Sequence, residues 1–261
     1  MTMKRMMALV AVILCLTLTA CTAQPVAEED NTLDKTTPYR VLFIGNSYTY
    51  YNELWDLFAQ VAESGGYTVT ADHVTQGGYY LDQFTNPADP FGKELSEKLA
   101  ENRYDYVFIQ EQSTCPFTNY ERFEAAATQL HGMIVENGAQ CVLYQTWARE
   151  TGSPALSANR WTNKGMTEDL REAYETLGET LEVPVSPVGT AFYDVHTHHK
   201  DIDLYDADTT HPSPAGSYLA ALCHYATVTG DDPRNVTFNA GESDETAAVL
   251  KEAAYNACFA E

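Results

Sequence analysis

Arg40-Val41-Leu42-Phe43-Ile44-Gly45-Asn46-Ser47-Tyr48-Thr49 is the stretch that decides the fold. Arg40 to Ile44 is an apolar run with β-branched members, which reads as a strand, and Gly45 ends it. Just downstream, Leu54, Leu57, Phe58, Val61 and Ala62 recur at helical spacing, closed by Gly65-Gly66. A strand followed at once by an amphipathic helix opens a βαβ unit, and the alternation continues. Tyr67 to Val74, Tyr104 to Ile109, Gln140 to Tyr144 and Val183 to Val188 read as further strands. Between the third and fourth, Phe123, Ala126, Ala127, Leu130 and Ile134 form a helical stripe stopped by Asn137-Gly138. Leu170, Ala173, Tyr174, Leu177 and Leu181 form another. Pro214 opens a helix to about Thr229, and Ser243 caps the last one. With right-handed crossovers, this pattern predicts a parallel sheet of about five strands covered on both faces. The expected architecture is a three-layer α/β/α sandwich in one domain, residues 38–261.

Composition is compatible with that reading and excludes others. The chain has 261 residues, 44% hydrophobic and 20% charged, enough for a full core without metal or disulfide staples. Fifteen Lys and Arg against 37 Asp and Glu give a net charge of −22. That argues against nucleic acid as a partner, which needs a basic surface, and against electrostatic docking on anionic lipid. Seventeen Tyr, 10 Phe and 3 Trp are too much aromatic surface for a disordered chain.

The N-terminal segment reads as an address. Lys4 and Arg5 precede an apolar run from Met6 to Ala20, too short for a comfortable membrane span and suited to a signal peptide over residues 1–20. Its end, Leu18-Thr19-Ala20-Cys21, resembles the lipobox of bacterial lipoproteins, which implies cleavage before Cys21 and lipid on that thiol. A simple signal peptide cut nearby and a retained helix are the alternatives. Residues 21–37 are polar and acidic and read as a tether, so the domain is expected outside the cytoplasm, on the bacterial cell membrane, held through its lipid anchor alone. Of the remaining cysteines, Cys141 lies in a strand-like run and reads as buried. Cys223 and Cys258, on C-terminal helices, are the best candidates for a disulfide beside Cys115.

In parallel sheets, reactive groups collect beyond the carboxyl ends of the strands. Ser47, on the turn after the first strand, can project its hydroxyl while keeping its N–H free; a plain helix cap is the competing reading. After the second strand, Gly77-Gly78 lets backbone approach a ligand closely, or simply makes a tight turn. Near the C-terminus, Asp208-Thr209-Thr210-His211-Pro212 places a carboxylate three residues before an imidazole on a proline-stiffened turn. Such a pair fixes the histidine tautomer and leaves the other ring nitrogen free to act as a base.

Taken in this order, the three blocks resemble the SGNH/GDSL hydrolase superfamily, nearest its sialate O-acetylesterase-like branches and bacterial lipoproteins. Asp206 to Ala221 carries the most specific part of the likeness. The resemblance implies a flavodoxin-like fold and ester hydrolysis without metal or other cofactor. It assigns Ser47 as nucleophile, His211 as general base, Asp208 as its orienting partner, and the N–H groups of Ser47 and Gly78 as oxyanion donors. One block departs from it. Where the superfamily usually has Gly-x-Asn-Asp, this chain reads Ile109-Gln110-Glu111-Gln112-Ser113. This is closer to the Gln-Gly-Glu-Ser run of the acetylesterase branches, so a glutamine replaces asparagine as third donor; Gln110 is the first choice and Gln112 the second.

Other features invite a functional reading with less support. His196, His198 and His199, with Asp194, Asp201 and Asp203, resemble metal-ligand material. They read as a polar loop without a helical His-x-x-x-His frame, so no metal is expected. Tyr48, Tyr50, Tyr51, Tyr79 and Tyr80 flank the candidate nucleophile and glycine and could stack on a sugar, and Trp147 could line the same cleft. His73 and His224 read as structural. The expected function is a serine esterase removing acetyl or another small acyl group from a glycan or small-molecule ester. The rival from another class is a non-catalytic glycan-binding lipoprotein that kept the fold.

Overall fold

A computed structural model describes residues 33–260. The expected signal peptide, Cys21 and the tether up to residue 32 lie outside the described residues. Five strands, β1 (Tyr39–Gly45), β2 (Val69–Thr75), β3 (Tyr106–Ile109), β4 (Gln140–Tyr144) and β5 (Val185–Ser186), form one sheet in the order β2-β1-β3-β4-β5. Every pairing is parallel, as in the flavodoxin-like order. The intervening helices are α1 (Ser47–Tyr50), α2 (Leu54–Ser64), α3 (Leu81–Phe84), α4 (Pro90–Glu101), α5 (Cys115–Thr118) and α6 (Tyr120–Asn137). They are followed by α7 (Pro154–Asn159), α8 (Asn163–Leu181), α9 (Val188–His198), α10 (Pro214–Thr229) and α11 (Asp244–Phe259). The expected three-layer α/β/α sandwich is the observed one.

Strand pleating builds two cores from one sheet. Side chains alternate along β1, so Val41 and Phe43 face one way and Leu42 and Ile44 the other. Val41 and Phe43 join Phe108 and Tyr144 beneath α2, α9, α10 and α11. Leu42 and Ile44 join Val107 and Leu143 beneath α4, α6 and α8. Phe43 stacks on Phe108 at 4.7 Å, and both are buried. Removing such a side chain from water is worth about 1.5–3 kcal/mol. This explains the continuous apolar run in β1: a strand covered on both faces has no position to give to water.

Four expectations need correction. The fifth strand is two residues long instead of six, because Pro184 and Pro187 bracket it and proline has no N–H for the ladder. Residues 33–37, the end of the expected tether, belong to the folded body: Leu33 packs on the first core, and Lys35 pairs with Asp231 at 2.7 Å. His196 and His198 lie on α9 and not in a loop. His198 Nδ1 meets Asp194 one turn back at 2.9 Å, and His196 Nε2 meets the Thr151 hydroxyl at 2.8 Å. Cys223 and Cys258 do sit on packed helices, α10 and α11, but both are free thiols, with Cys258 Sγ 3.8 Å from the Cys223 carbonyl oxygen. Cys141 is buried, as is His224, whose Nδ1 lies 2.8 Å from the Ser186 hydroxyl. His73 stacks on Trp55 at 3.7 Å.

Candidate active site

The turn that presents Ser47 is held from several directions. A Cβ at Gly45 would lie 2.4 Å from Thr49 Oγ1 and 2.6 Å from Gln110 Oε1, so only glycine lets the chain leave β1 this tightly. Asn46 caps α1 by accepting from the Tyr48 N–H at 3.2 Å, and its amide donates to the Tyr79 carbonyl at 3.0 Å. Ser47 is therefore the first residue of α1, its hydroxyl in a cavity of about 350 Å³ beyond the carboxyl ends of the strands. Asn52 then ties this segment to the opposite loop, donating to the Pro212 carbonyl at 3.1 Å and the Ser217 hydroxyl at 2.9 Å.

That opposite loop carries Asp208 and His211. It is closed by the Asp206 N–H donating to the His211 carbonyl at 2.8 Å, with Thr209 in the left-handed region at φ +62°. Asp208 accepts from the backbone N–H groups of Thr210 and His211 at 3.0 and 2.9 Å through one oxygen. Its other oxygen takes His211 Nδ1. Burial by itself would raise the Asp208 carboxyl, but these N–H groups and the ring outweigh it and hold it below the ordinary carboxylate range. A carboxylate needs a donor, so Nδ1 carries the proton and Nε2 is the acceptor. The Ser47 hydroxyl lies 2.8 Å from that Nε2. Tyr51 stacks on the His211 ring at 4.2 Å and 7°, fixing its plane.

Ser47, His211 and Asp208, 164 positions apart at the extremes of the first pair, thus form one hydrogen-bonded chain. Gly77 and Gly78 line the same cavity, and Gly78 has φ +74° with open space where a Cβ would stand. Among the described residues, the N–H groups of Ser47 and Gly78 donate to no protein acceptor. Two free backbone donors and an activated hydroxyl on one cavity suit attack on a carbonyl carbon, with the oxyanion received by backbone.

The third block is rearranged relative to expectation. Gln110 is 1% exposed and does not line the cavity. Its Oε1 accepts from the Asn46 N–H at 2.8 Å and the Thr49 hydroxyl at 2.9 Å, and its Nε2 donates to the Glu111 carbonyl, so it serves as a brace beneath the Ser47 turn. Gln112 lines the cavity instead. Its Oε1 accepts from Thr114 N–H at 3.0 Å, while Nε2 donates to the Ser113 hydroxyl at 3.2 Å and keeps a second N–H. Residues two apart on a strand would share a face, but both glutamines lie past the end of β3 at Ile109, where the chain has left the strand. Gln110 turns under Asn46 and Thr49, and Gln112 is the one aimed outward. Between them, Glu111 is fully buried, and its carboxylate accepts from the Leu81 N–H at 3.2 Å and from the Gln112 N–H. Burial pushes its pKa up to about 7 against the pull of those two donors.

The aromatic rim is also smaller than expected. Trp147 is fully buried, stacked between Tyr48 at 4.4 Å and Phe192 at 4.3 Å, and does not line the cavity. Tyr79 and Tyr80 are engaged in packing, against Phe91 and under Arg122 respectively. Tyr48 and Tyr50 do line it. Arg149 lines it too and was not anticipated, although it follows the end of β4, where the carboxyl-end rule directs attention. A larger cavity of about 650 Å³ lies against Glu150, Tyr193, His196 and Lys200 and holds none of the Ser47, Asp208 and His211 side chains. Among the described residues, no three His, Cys, Asp or Glu side chains converge as a metal-ligand set.

No family model and no curated protein matches the sequence. Among solved structures, a protein described as an SGNH hydrolase, from Slackia heliotrinireducens, aligns at 30% identity over 73% of this chain and 99% of its own, with a TM-score of 0.64. This chain belongs to the SGNH hydrolases. A DUF4886 family protein from Bacteroides uniformis shares the fold of this SGNH hydrolase over 86% of the chain and 96% of its own. Its TM-score is 0.74, at 18% identity. A variant of an acetyl-xylooligosaccharide esterase from a Geobacillus species shares it over 78% and 97%, with TM-score 0.51 and 15% identity. In this SGNH hydrolase, Gln112 and the Arg149 guanidinium face the cavity that holds Ser47.

Proposed function

We propose that this SGNH hydrolase is a serine esterase that removes acetyl or another small acyl group from a carbohydrate ester. Ser47 Oγ attacks the acyl carbon while His211 Nε2 takes its proton, and Asp208 steadies the imidazolium that results. The N–H groups of Ser47 and Gly78 and the amide of Gln112 receive the oxyanion. The tetrahedral intermediate expels the sugar alkoxide, which His211 protonates, leaving an acyl group on Ser47. Water, deprotonated by the same Nε2, then attacks that acyl carbon and releases the carboxylic acid. The observation that carries the reading is the 2.8 Å contact between Ser47 Oγ and a histidine whose other nitrogen is bound to a carboxylate. The carbohydrate part is favoured by the small cleft and by the activity named for the Geobacillus esterase. We further propose that Cys21 carries lipid and holds the enzyme at the outer face of the membrane, on the strength of its Leu-Thr-Ala-Cys context.

The test is hydrolysis of 4-nitrophenyl acetate by the purified protein, with Ser47→Ala and His211→Ala each lowering kcat by about 10³-fold or more while the thermal midpoint is kept. Wild-type turnover by Ser47→Ala would refute the mechanism. Labelling of Ser47 by an organophosphonate, located by mass spectrometry, checks the nucleophile independently.

A further inference from the structure

Arg149 is out of character with its surroundings. The chain carries a net charge of −22, yet among the described residues the cavity that holds Ser47 is lined by no carboxylate, and Arg149 is its one permanently charged side chain. No carboxylate among the described residues lies within ion-pair distance of it. Arg40, Arg122, Arg171 and Arg234 pair with carboxylates of the protein itself, and Arg103, which has no such pair among the described residues, donates to backbone carbonyls away from the cavity.

The guanidinium is nevertheless fixed in place. Nη1 donates to the Tyr48 hydroxyl at 2.6 Å and Nη2 to the Ser113 hydroxyl at 2.8 Å. Tyr48 is itself locked by its stack on the buried Trp147, and Ser113 is 6% exposed. The Arg149 carbonyl is also anchored, accepting from the Asn163 amide at 2.7 Å. Of the five N–H groups of a guanidinium, two are used by these neutral hydroxyls, and none of its nitrogens is among the buried atoms without a partner. A half-buried cation, held by neutral partners with donors left over, is preorganised for an oxyanion that arrives from outside.

We propose that Arg149 is a specificity residue that binds a carboxylate or phosphate carried by the ester substrate, so that the preferred substrates of this cleft are anionic esters. The proposal rests on the esterase reading of Ser47 and adds the charge of the substrate to it. It also accounts for a cation kept in the cleft of an acidic protein. The surrounding field repels anions at long range, so the selectivity has to be exerted at contact distance.

Two pairs of esters, each matched for shape, test it. The first is 4-acetoxybenzoate against its methyl ester, which places the charge on the alcohol side. The second is mono-4-nitrophenyl succinate against 4-nitrophenyl methyl succinate, which places it on the acyl side. Wild type should favour the anionic member of at least one pair in kcat/KM, and the pair that responds locates the anion. Arg149→Met should lose about ten- to a hundredfold more on that anionic ester than on its neutral partner, since a charge-assisted contact is removed. Arg149→Lys, which keeps the charge without the fork, should fall between. Losses that are equal on charged and neutral esters would make Arg149 a brace for Tyr48 and Ser113 and overturn the proposal. A wild type without preference in either pair overturns it as well. A separate readout avoids turnover: calorimetric titration of Ser47→Ala with benzoate, succinate and inorganic phosphate should show binding that disappears in Ser47→Ala/Arg149→Met. If neither the anionic nor the neutral esters are hydrolysed, the esterase reading fails by itself, and this titration still decides whether Arg149 holds an anion.

Discussion

Gln110 and Gln112 sit two residues apart and should fail in opposite ways. Gln110→Ala removes a buried amide whose oxygen accepts from the Asn46 N–H and from the Thr49 hydroxyl, residues that are 3% and 0% exposed. Each unpaired buried donor costs about 1–3 kcal/mol, so with two of them the variant should lose roughly 2–6 kcal/mol. For a domain of this size that is a fall in thermal midpoint of roughly 5–20 °C. Gln112 is half-buried, and its useful group is an N–H facing the cavity. Gln112→Glu keeps the oxygen that accepts from Thr114 N–H and deletes the amide donor, placing a negative charge beside the nascent oxyanion. Its kcat should fall by about 10²–10³-fold with KM near wild type and the thermal midpoint within a few degrees. The assay is a thermal melt of each variant beside steady-state kinetics on 4-nitrophenyl acetate. A Gln110→Ala protein that melts like wild type but loses kcat more severely than Gln112→Glu would refute the assignment and return the donor role to Gln110.

Gly45→Ala should lower both stability and kcat, because its Cβ would push into Thr49 and Gln110 and displace the turn that presents Ser47; circular-dichroism melts and esterase kinetics on the same sample check this. Burial drives His224 down to about 3 from the ordinary 6.5, so it is neutral in the fold and charges on unfolding. Its contribution is fully present above pH 6.5 and is lost as pH falls toward 3, an effect on the order of 5 kcal/mol. Glu111, raised to about 7, acts in the opposite sense and costs stability as pH rises from about 4.5 to 7. Urea melts from pH 3 to 8 should therefore show the stability deficit of His224→Phe shrinking as pH falls, and a deficit independent of pH would contradict the neutral buried state. Cys21→Ser should abolish lipid attachment and move the protein out of the membrane fraction. Mass spectrometry of the native N-terminus finding an unmodified residue other than Cys21 would disprove the anchor.

Much of this protein was determined by its sequence alone. The uninterrupted apolar run of β1 and the recurrence of strand and helix patterns forced a parallel sheet covered on both faces. Local turn chemistry likewise marked Ser47, Gly78 and the Asp208–His211 pair. These signals are legible because they depend on spacing over a few residues: the period of a strand, the three-residue reach from Asp to His, the glycine that a left-handed turn requires. The tertiary structure decided whatever depends on which way a side chain leaves a strand end and what it meets there. The two glutamines after β3 are equivalent as letters. Only the packing of Asn46 and Thr49 over Gln110 makes one a buried brace and leaves the other facing the cleft. Trp147 and Arg149 also follow one strand, two residues apart. The stack between Tyr48 and Phe192 buries the first, and the hydroxyls of Tyr48 and Ser113, 101 and 36 positions away, fix the second. Partners that distant in sequence leave no periodic trace in it, so the charge of the cleft became visible only once the sheet had brought its strand ends together.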